Sequence, residues 1–296
     1  MSTDTPAFLL DMDGVIYRDD ALLPGAAELI ALFQEKAVPF LFLTNNSIPT
    51  PDDLAVKLAH LGIKGLSPRH FYTSALNTAD FLQETHPECT AYALGEAGLF
   101  TALQSARIPN DTIAPDYVVV GEGSPSMEQI TKAHELIEKG ARLVATNPDC
   151  WCPAGGVKTR PGAGALAAYL QTSTGQRAYY LGKPNPYMFS RARNRLGAAP
   201  EQPVVMVGDT METDIRGAIE VGLPAYLVLT GSTTLDDLAD SVYQPTRVLG
   251  GVSDLLEEIR TGRPSDRLGS PAFTSIAAES KPRPSLPPRK KRYATM

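Results

Sequence analysis

The chain has 296 residues, of which 43% are hydrophobic, and it carries a net charge of −6 at pH 7. This length allows one large or two smaller domains, each with a buried core. The charge is uneven, because residues 263–296 contain eight Lys and Arg but two Asp and Glu, which leaves −12 for the remainder. Such an acidic body argues against a nucleic-acid-binding surface.

Three cysteines cannot form a disulfide framework, and this small number suits a reducing compartment. No apolar run approaches the roughly 20 residues of a membrane-spanning helix. The N-terminus lacks the basic region and the long apolar region of a secretory signal. We therefore expect a cytoplasmic protein that has neither a membrane nor a nucleic acid as its partner.

Apolar runs that are typical of buried strands alternate along the chain with segments of helical periodicity. A first unit over residues 1–87 has predicted strands at 7–10, 38–43 and 71–73, and helices at 25–36, 51–61 and 74–84. A second unit over 88–177 has strands at 90–94, 116–120 and 142–146, helices at 97–105, 127–139 and 163–172, and an irregular loop at 147–158. The first unit then resumes over 178–262, with strands at 178–181, 204–207 and 225–229 and helices at 187–196, 215–221 and 252–259. This pattern predicts an α/β domain into which a second α/β domain is inserted.

Residues 263–296 differ in composition from the rest, since Pro, Ser, Arg and Lys dominate them. Such a segment cannot bury enough apolar surface to order itself, so we predict a disordered tail. Two interpretations of its basic cluster at 289–292 stay open. One is contact with an acidic partner or use as a targeting signal, and the other is a solvated tail without a specific function.

Polar side chains of distinct kinds follow four of the predicted strands. In chain order they are Asp11 and Asp13, Thr44 and Asn45, Lys183, and Asp209 with Asp214 five residues later. In open α/β sheets, ligands bind beyond the carboxyl ends of the strands, and in a parallel sheet these ends lie along one edge. We therefore expect these residues to meet at one site.

Asp11 and Asp13 are two residues apart, so on a regular strand they share a face. Two like charges side by side are unfavourable unless a cation neutralises them, and Mg²⁺ prefers carboxylate and carbonyl oxygens. Asp and Gly are also common in turns, so residues 11–14 alone are equally consistent with a simple turn. All four strand ends together favour phosphoryl transfer, with acids holding a cation while a hydroxyl, an amide and an ammonium hold an oxyanion.

These segments resemble the four sequence motifs of phosphatases of the haloacid dehalogenase (HAD) superfamily. The matching stretches are Asp11-Met12-Asp13-Gly14-Val15, Leu43-Thr44-Asn45-Asn46, Gly182-Lys183-Pro184, and Gly208-Asp209-Thr210 with Asp214. The lengths between the motifs, and Thr146-Asn147-Pro148-Asp149, resemble the NagD-like branch, which includes nucleotide, p-nitrophenyl phosphate, phosphoglycolate and pyridoxal phosphate phosphatases. The resemblance implies a Rossmann-like, doubly wound parallel sheet as the core and an inserted α/β cap domain of the C2 type.

The resemblance also implies a role for each of the acids. Asp11 attacks phosphorus to give an aspartyl-phosphate, and Asp13 protonates the leaving oxygen and then activates water. Mg²⁺ is held by the carboxylates of Asp11 and Asp209 and by the backbone carbonyl of Asp13. Asp214 supports Lys183 or a metal-bound water, or is only an acid at a helix N-terminus.

For the substrate, the resemblance implies that Thr44 and Asn45 contact the phosphoryl oxygens, with Asn46 nearby, while Lys183 offsets negative charge. The loop at 147–158 is the part of the cap that we expect to reach the substrate. Trp151 in this loop either stacks on an aromatic leaving group or packs between the domains.

Two cysteines of the same loop raise further alternatives. Cys152 stands where pyridoxal phosphate phosphatases of this branch place a His, which counts against that substrate. Cys150 and Cys152 could bind a metal as a pair, but no further Cys or His motif accompanies them.

The expected function is therefore a Mg²⁺-dependent phosphomonoester phosphatase for nucleoside monophosphates, sugar phosphates or phosphoglycolate. A dehalogenase is one alternative, but halide displacement needs neither the proton donor Asp13 nor the metal ligand Asp209. A non-catalytic regulator that docks through the basic tail is another. Cap-to-cap dimers occur in the branch, so a homodimer through the cap is a further expectation.

Overall fold

The structure is a computed structural model that describes residues 6–153, 158–199 and 201–262. The predicted tail at 263–296 lies outside the described residues, as do residues 154–157 of the predicted loop. The strands are β1 (Ala7–Leu10), β2 (Tyr17–Arg18), β3 (Ala21–Leu22), β4 (Phe40–Thr44), β5 (Phe71–Thr73), β6 (Ala91–Leu94), β7 (Tyr117–Val120), β8 (Arg142–Ala145), β9 (Trp151–Pro153), β10 (Thr159–Pro161), β11 (Tyr179–Tyr180), β12 (Val204–Gly208), β13 (Ala225–Val228) and β14 (Arg247–Leu249). The helices are α1 (Ala26–Glu35), α2 (Pro51–Leu61), α3 (Ser74–Thr85), α4 (Ala97–Ser105), α5 (Met127–Glu138), α6 (Ala163–Thr174), α7 (Pro186–Leu196), α8 (Arg216–Glu220), α9 (Leu235–Ala239) and α10 (Val252–Thr261).

The first sheet has six parallel strands in the order β14-β13-β12-β1-β4-β5. Its central strands are continuous apolar runs, as expected where helices cover both faces of a parallel sheet. Side chains of α1, α2 and α10 pack on one face and side chains of α7 and α8 on the other. The doubly wound α/β core predicted from the sequence is thereby confirmed.

The order of strands in this sheet reverses at β1. The chain runs from β1 to β4 and β5 on one side, and returns later to β12 on the other side of β1. Ligands of doubly wound sheets bind in the crevice at such a switch point, beyond the carboxyl ends of the strands. The residues that follow β1 and β12 therefore flank the expected binding crevice.

A second sheet has four parallel strands in the order β11-β8-β7-β6. Helices α3 and α4 pack on one of its faces, and α5 and α6 on the other. The predicted second α/β unit is present, with its own two-sided core. Among the described residues, no helix combines the length and apolar character that a membrane span requires.

The structure corrects the placement of one predicted strand and extends the prediction elsewhere. The strand expected at 178–181 in the first sheet is β11, which pairs with β8 of the second sheet. The loop expected at 147–158 includes β9, which pairs antiparallel with β10. The short strands β2, β3 and β14 and the helix α9 have too few residues for a periodic signal, and sequence analysis missed them.

One nearly buried ion pair joins the last strand to the last helix. Arg247 of β14 makes a two-point contact with Glu258 of α10, and only 19% and 9% of the two side chains are exposed. Because Glu258→Ala leaves a largely buried guanidinium without its carboxylate, we expect it to lower the free energy of unfolding by roughly 2–3 kcal/mol in urea denaturation.

The exposed pair between Arg216 and Glu220 is the matched control. Its side chains are 39% and 38% exposed, so water already solvates both charges. Glu220→Ala should cost less than about 0.5 kcal/mol. Equal losses in the two variants would show that burial does not strengthen the Arg247–Glu258 pair.

Candidate active site

One cavity of about 1030 Å³ lies at the carboxyl edge of the first sheet, between that sheet and the second unit. All the site residues predicted from the sequence line it. They are Asp11, Asp13, Thr44, Asn45, Asn46, Lys183, Asp209 and Asp214. The structure thus brings the predicted set together, although Lys183 arrives from the second sheet rather than from the first.

Three carboxylates form the centre of the site. Asp11 follows β1 and Asp209 follows β12, and the pairing of Leu10 with Val207 brings the two strand ends level. Each of Asp11, Asp209 and Asp214 is buried and offers one carboxylate oxygen to a group that spans at most 4.8 Å. Burial, together with the charges of Asp214 and Asp209, raises the pKa of Asp11 well above its ordinary value, although Lys183 opposes this shift.

Lys183 supplies the positive charge of this cluster. Its Nζ donates to Asp11 Oδ1 at 2.6 Å, to Asp214 Oδ1 at 2.7 Å and to the carbonyl of Leu43 at 2.9 Å. Burial alone would lower the pKa of Lys183, but the two carboxylates outweigh it and raise the pKa, so the ammonium keeps its charge. Of the interpretations of Asp214, direct support of Lys183 is therefore what the contacts show.

The donor set fits a metal ion. Three buried carboxylates carry more negative charge than one ammonium offsets, and burial makes that excess costly. Carboxylate oxygens are the preferred ligands of a hard divalent cation such as Mg²⁺. The carboxyl group of Asp13 lies outside this group and is exposed to the cavity, which leaves it available for other chemistry. Partial burial and the charge of Asp209 raise the pKa of Asp13.

The turn after β1 requires glycine at position 14. Gly14 has a φ of +78°, which side-chain-bearing residues rarely adopt, and a Cβ there would lie 2.8 Å from Asp209 Oδ2. The turn is closed by a hydrogen bond from Gly14 N to the carbonyl of Tyr17 at 2.8 Å. Glycine thus allows Asp209 to lie directly against the loop that carries Asp11 and Asp13.

Asn45 uses its side chain to hold other parts of the protein. Its Oδ1 accepts from Lys183 N at 2.8 Å, and its Nδ2 donates to the Lys183 carbonyl at 3.1 Å and to the carboxylate of Asp149 at 3.1 and 3.3 Å. This positioning role was not foreseen, and the phosphoryl contact implied by resemblance stays a prediction. Thr44 Oγ1 accepts from Asn46 N at 3.1 Å, an interaction that leaves the hydroxyl proton available to a ligand.

Several residues that line the same cavity were not singled out by the sequence analysis. Four of them are Tyr17, Lys57, Glu122 and Arg160. Lys57 Nζ lies 3.9 Å from the centre of the Tyr17 ring, and its charge partly offsets the raised pKa of Asp13. Glu122 follows β7, so the rule that polar residues end strands at a site would have found it, had it been applied to the second unit.

The structure places the Trp and the two Cys side chains of the loop that follows β8. Trp151 lines the cavity and is 56% exposed, so its ring does not serve mainly to pack between the two units. Cys152 is buried, and its Sγ accepts from Arg160 Nε at 3.2 Å. Cys150 is exposed, and within the described ranges the three-Asp group is the only cluster suited to a metal.

Glu122 gives the stability of the protein a pH dependence of defined sign. Burial first, and then the charge of Asp149, raise the pKa of Glu122 from 4.5 to about 7. The folded state therefore favours the protonated carboxyl, and this contribution to stability is complete below pH 4.5 and lost as the pH rises through 7. We expect Glu122→Gln to be more stable than the unchanged protein by about 2–3 kcal/mol at pH 8 and by much less near pH 5.

Urea unfolding at the two pH values measures this difference. Glu212→Gln, at a side chain that is 72% exposed on the rim of the same cavity, is the control and should change stability at neither pH. A difference between Glu122→Gln and the unchanged protein that does not vary with pH would contradict the assignment.

Comparison with known families and proteins agrees with this geometry. A family model described as haloacid dehalogenase-like hydrolase matches residues 8–108, and a second HAD-hydrolase model matches residues 180–255. Dihydroxyacetone phosphatase of Corynebacterium glutamicum is 40% identical over 253 residues, which cover 85% of this chain and 90% of the relative. Ribonucleotide monophosphatase NagD of Escherichia coli is 36% identical, with 83% and 96% covered, and acid sugar phosphatase of Staphylococcus epidermidis is 37% identical, with 81% and 92% covered.

Solved structures give the same result. NagD from E. coli K-12 superposes with a TM-score of 0.78 at 35% identity, and the match covers 85% of this chain and 98% of that one. The 4-nitrophenylphosphatase of Thermotoga maritima superposes with a TM-score of 0.80 at 33% identity, with 86% and 97% covered. The chain belongs to the haloacid dehalogenase superfamily, within which it is a phosphatase of the NagD-like branch.

Proposed function

We propose that this phosphatase hydrolyses phosphate monoesters of small metabolites through an aspartyl-phosphate at Asp11, with Mg²⁺ bound beside it. The observation that carries the proposal is the environment of Asp11. One of its oxygens is paired with the Lys183 ammonium at 2.6 Å, and Asp209 and Asp214 lie within the same 4.8 Å group. The second carboxylate needed for proton transfer, Asp13, lies two residues away and faces the cavity.

The acid cluster would hold the metal through Asp11 and Asp209, with the Asp13 carbonyl as a further ligand. When bound, Mg²⁺ would supply positive charge opposite the phosphoryl oxygens and keep the nucleophile ionised. Lys183 supports the same effect from the protein side, since it stays protonated and contacts Asp11 directly. Asp214 holds Lys183 in place, so its part in the reaction is positional.

The covalent steps are divided between two carboxyl groups. Asp11 attacks phosphorus while Asp13 gives a proton to the leaving oxygen, so the alcohol departs as a neutral molecule. Asp13, now ionised, takes a proton from the water that attacks the phosphoryl group, and Asp11 is released. The raised pKa of Asp13 favours the protonated form that the first step requires.

Thr44 and Asn45, with Asn46 nearby, are the groups that we assign to the phosphoryl oxygens. All three line the cavity that Asp11 also lines, and the Thr44 hydroxyl has a proton to donate. The relatives are named dihydroxyacetone phosphatase, ribonucleotide monophosphatase and acid sugar phosphatase. They support small phosphorylated metabolites as the substrate class here. A homodimer through the second unit and a cytoplasmic location remain predictions from the sequence.

Hydrolysis of p-nitrophenyl phosphate tests the proposal. Turnover should disappear when EDTA removes divalent ions and return when Mg²⁺ is added. Asp11→Asn should lower kcat by at least about a thousandfold, because the amide is a poor nucleophile. Asp52→Asn, at an exposed position in the first turn of α2, should leave kcat unchanged.

The covalent intermediate is tested separately by chemical trapping. Borohydride reduces an acyl phosphate, and mass spectrometry then locates the modified residue. Modification at Asp11 is expected in the presence of substrate and Mg²⁺. Full metal-dependent turnover by Asp11→Asn, or trapping at another carboxylate, would remove Asp11 as the nucleophile.

A further inference from the structure

Glu122 lies where the second unit meets the phosphoryl-binding loop of the first. It follows β7, at the carboxyl end of the second sheet, and lines the same cavity as Asp11. Its backbone N–H donates to Ser47 Oγ at 2.9 Å, and Ser47 comes directly after the motif residues Thr44, Asn45 and Asn46. This contact fixes Glu122 against the loop that we expect to hold the phosphoryl group.

Only one of the two carboxylate oxygens of Glu122 accepts a hydrogen bond. The residue is 3% exposed, and its Oε1 accepts from Asn147 Nδ2 at 3.3 Å. Within residues 6–153, 158–199 and 201–262, its Oε2 has no hydrogen-bond partner although it is fully buried. A buried acceptor without a donor is unfavourable and rare in native proteins, so the protein retains a cost at this position that a bound ligand would relieve.

A continuous set of contacts links this carboxylate to the reaction centre. Asn147 Nδ2, which donates to Glu122, also donates to the carbonyl of Asn45 at 2.8 Å. Asn45 in turn holds Lys183, which pairs with Asp11. Glu122 is therefore linked through Asn147, Asn45 and Lys183 to Asp11, and it lines the cavity that a phosphate ester held at Asp11 would occupy.

The surroundings of Glu122 favour a hydroxyl group over an ammonium group as its ligand. Arg160 lines the same cavity, and the positive charge of its guanidinium disfavours the binding of an ammonium group there. Its Nε already donates a hydrogen bond to Cys152 Sγ. The pKa of about 7 means that both protonation states of Glu122 occur near neutral pH. A hydroxyl group donates and accepts, so it pairs with either state, whereas an ammonium group needs the ionised one.

We propose that Glu122 Oε2 binds a hydroxyl group on the leaving group of the substrate, and that it thereby selects phosphate esters of small polyols over esters of simple alcohols and phenols. The proposal rests on the proposed phosphatase function and assigns its specificity to one side chain of the second unit. Because Oε2 is buried while Glu122 lines the cavity, a rotation of the carboxyl group would bring Oε2 to the leaving group when the substrate binds. Glu122 takes no part in bond making or breaking.

Two substrates that differ only in hydroxyl groups test the proposal. Glycerol 1-phosphate and n-propyl phosphate share the phosphate and the three-carbon chain, and p-nitrophenyl phosphate has no hydroxyl donor. We expect the unchanged enzyme to favour glycerol phosphate over propyl phosphate by at least about tenfold in kcat/KM, which corresponds to about 1.4 kcal/mol. Glu122→Met should remove most of this preference, chiefly through KM, and should change kcat/KM for the other two esters by less than about twofold.

The controls separate specificity from structure. Glu128→Met, at an exposed position in the first turn of α5 and outside the cavity lining, should leave all three kcat/KM values unchanged. Glu122→Met should melt at no lower temperature than the unchanged protein, because it removes a buried acceptor that lacks a donor. A structural role for Glu122 would lower the melting temperature and reduce activity on all three esters alike.

Binding to the Asp11→Asn variant decides the proposal without turnover. Calorimetry should give a tighter Kd for glycerol phosphate than for propyl phosphate, and adding Glu122→Met should make the two equal. An equal loss for all three esters, or an unchanged preference in Glu122→Met, would overturn the assignment of Glu122. Absence of Mg²⁺-dependent turnover of p-nitrophenyl phosphate would instead overturn the proposed function, while the binding comparison would still decide the role of Glu122.

Discussion

The pairing of the buried Lys183 ammonium with Asp11 and Asp214 is the interaction on which the site depends. Without it, the buried carboxylates of the three-Asp group would lack their contacts with the Lys183 ammonium, which would destabilise the folded protein. The pairing leaves a surplus of negative charge, and that surplus is what makes the cluster a receptor for a divalent cation. The same charged side chains, Lys183 and the three carboxylates, thus stabilise the fold and form the reactive site.

The charges of this cluster come from different parts of the topology. Asp11 and Asp209 belong to neighbouring strands on either side of the switch point, and their positions are set by strand register. Lys183 follows β11 of the second sheet and is fixed by Asn45 of the first. The second unit is therefore more than a cover over the cavity, because it delivers the cation that compensates the nucleophile.

The sequence predicted most of this arrangement, because apolar runs followed by polar residues mark the carboxyl ends of parallel strands. Asp11, Thr44 and Asp209 were found in that way. The sequence could not predict which sheet β11 joins, because a strand of two residues carries no pattern that identifies the strand it pairs with. Glu122 also follows a predicted strand, but none of the four family motifs contains it. That its Oε2 is buried and unpaired is a property of the folded chain that no local pattern reports.

The attachment of β11 has a mechanical consequence. Leu181 and Gly182 alone separate that strand from Lys183, and a Cβ at Gly182 would lie 2.6 Å from Asn45 Oδ1 and from the Thr146 carbonyl. Because this connection is short and closely packed, a rotation of the second sheet away from the first would displace the backbone of Lys183. The same movement would then open the cavity and weaken the contact between Lys183 and Asp11. Asp11 would be able to attack chiefly when the second unit is closed over the cavity.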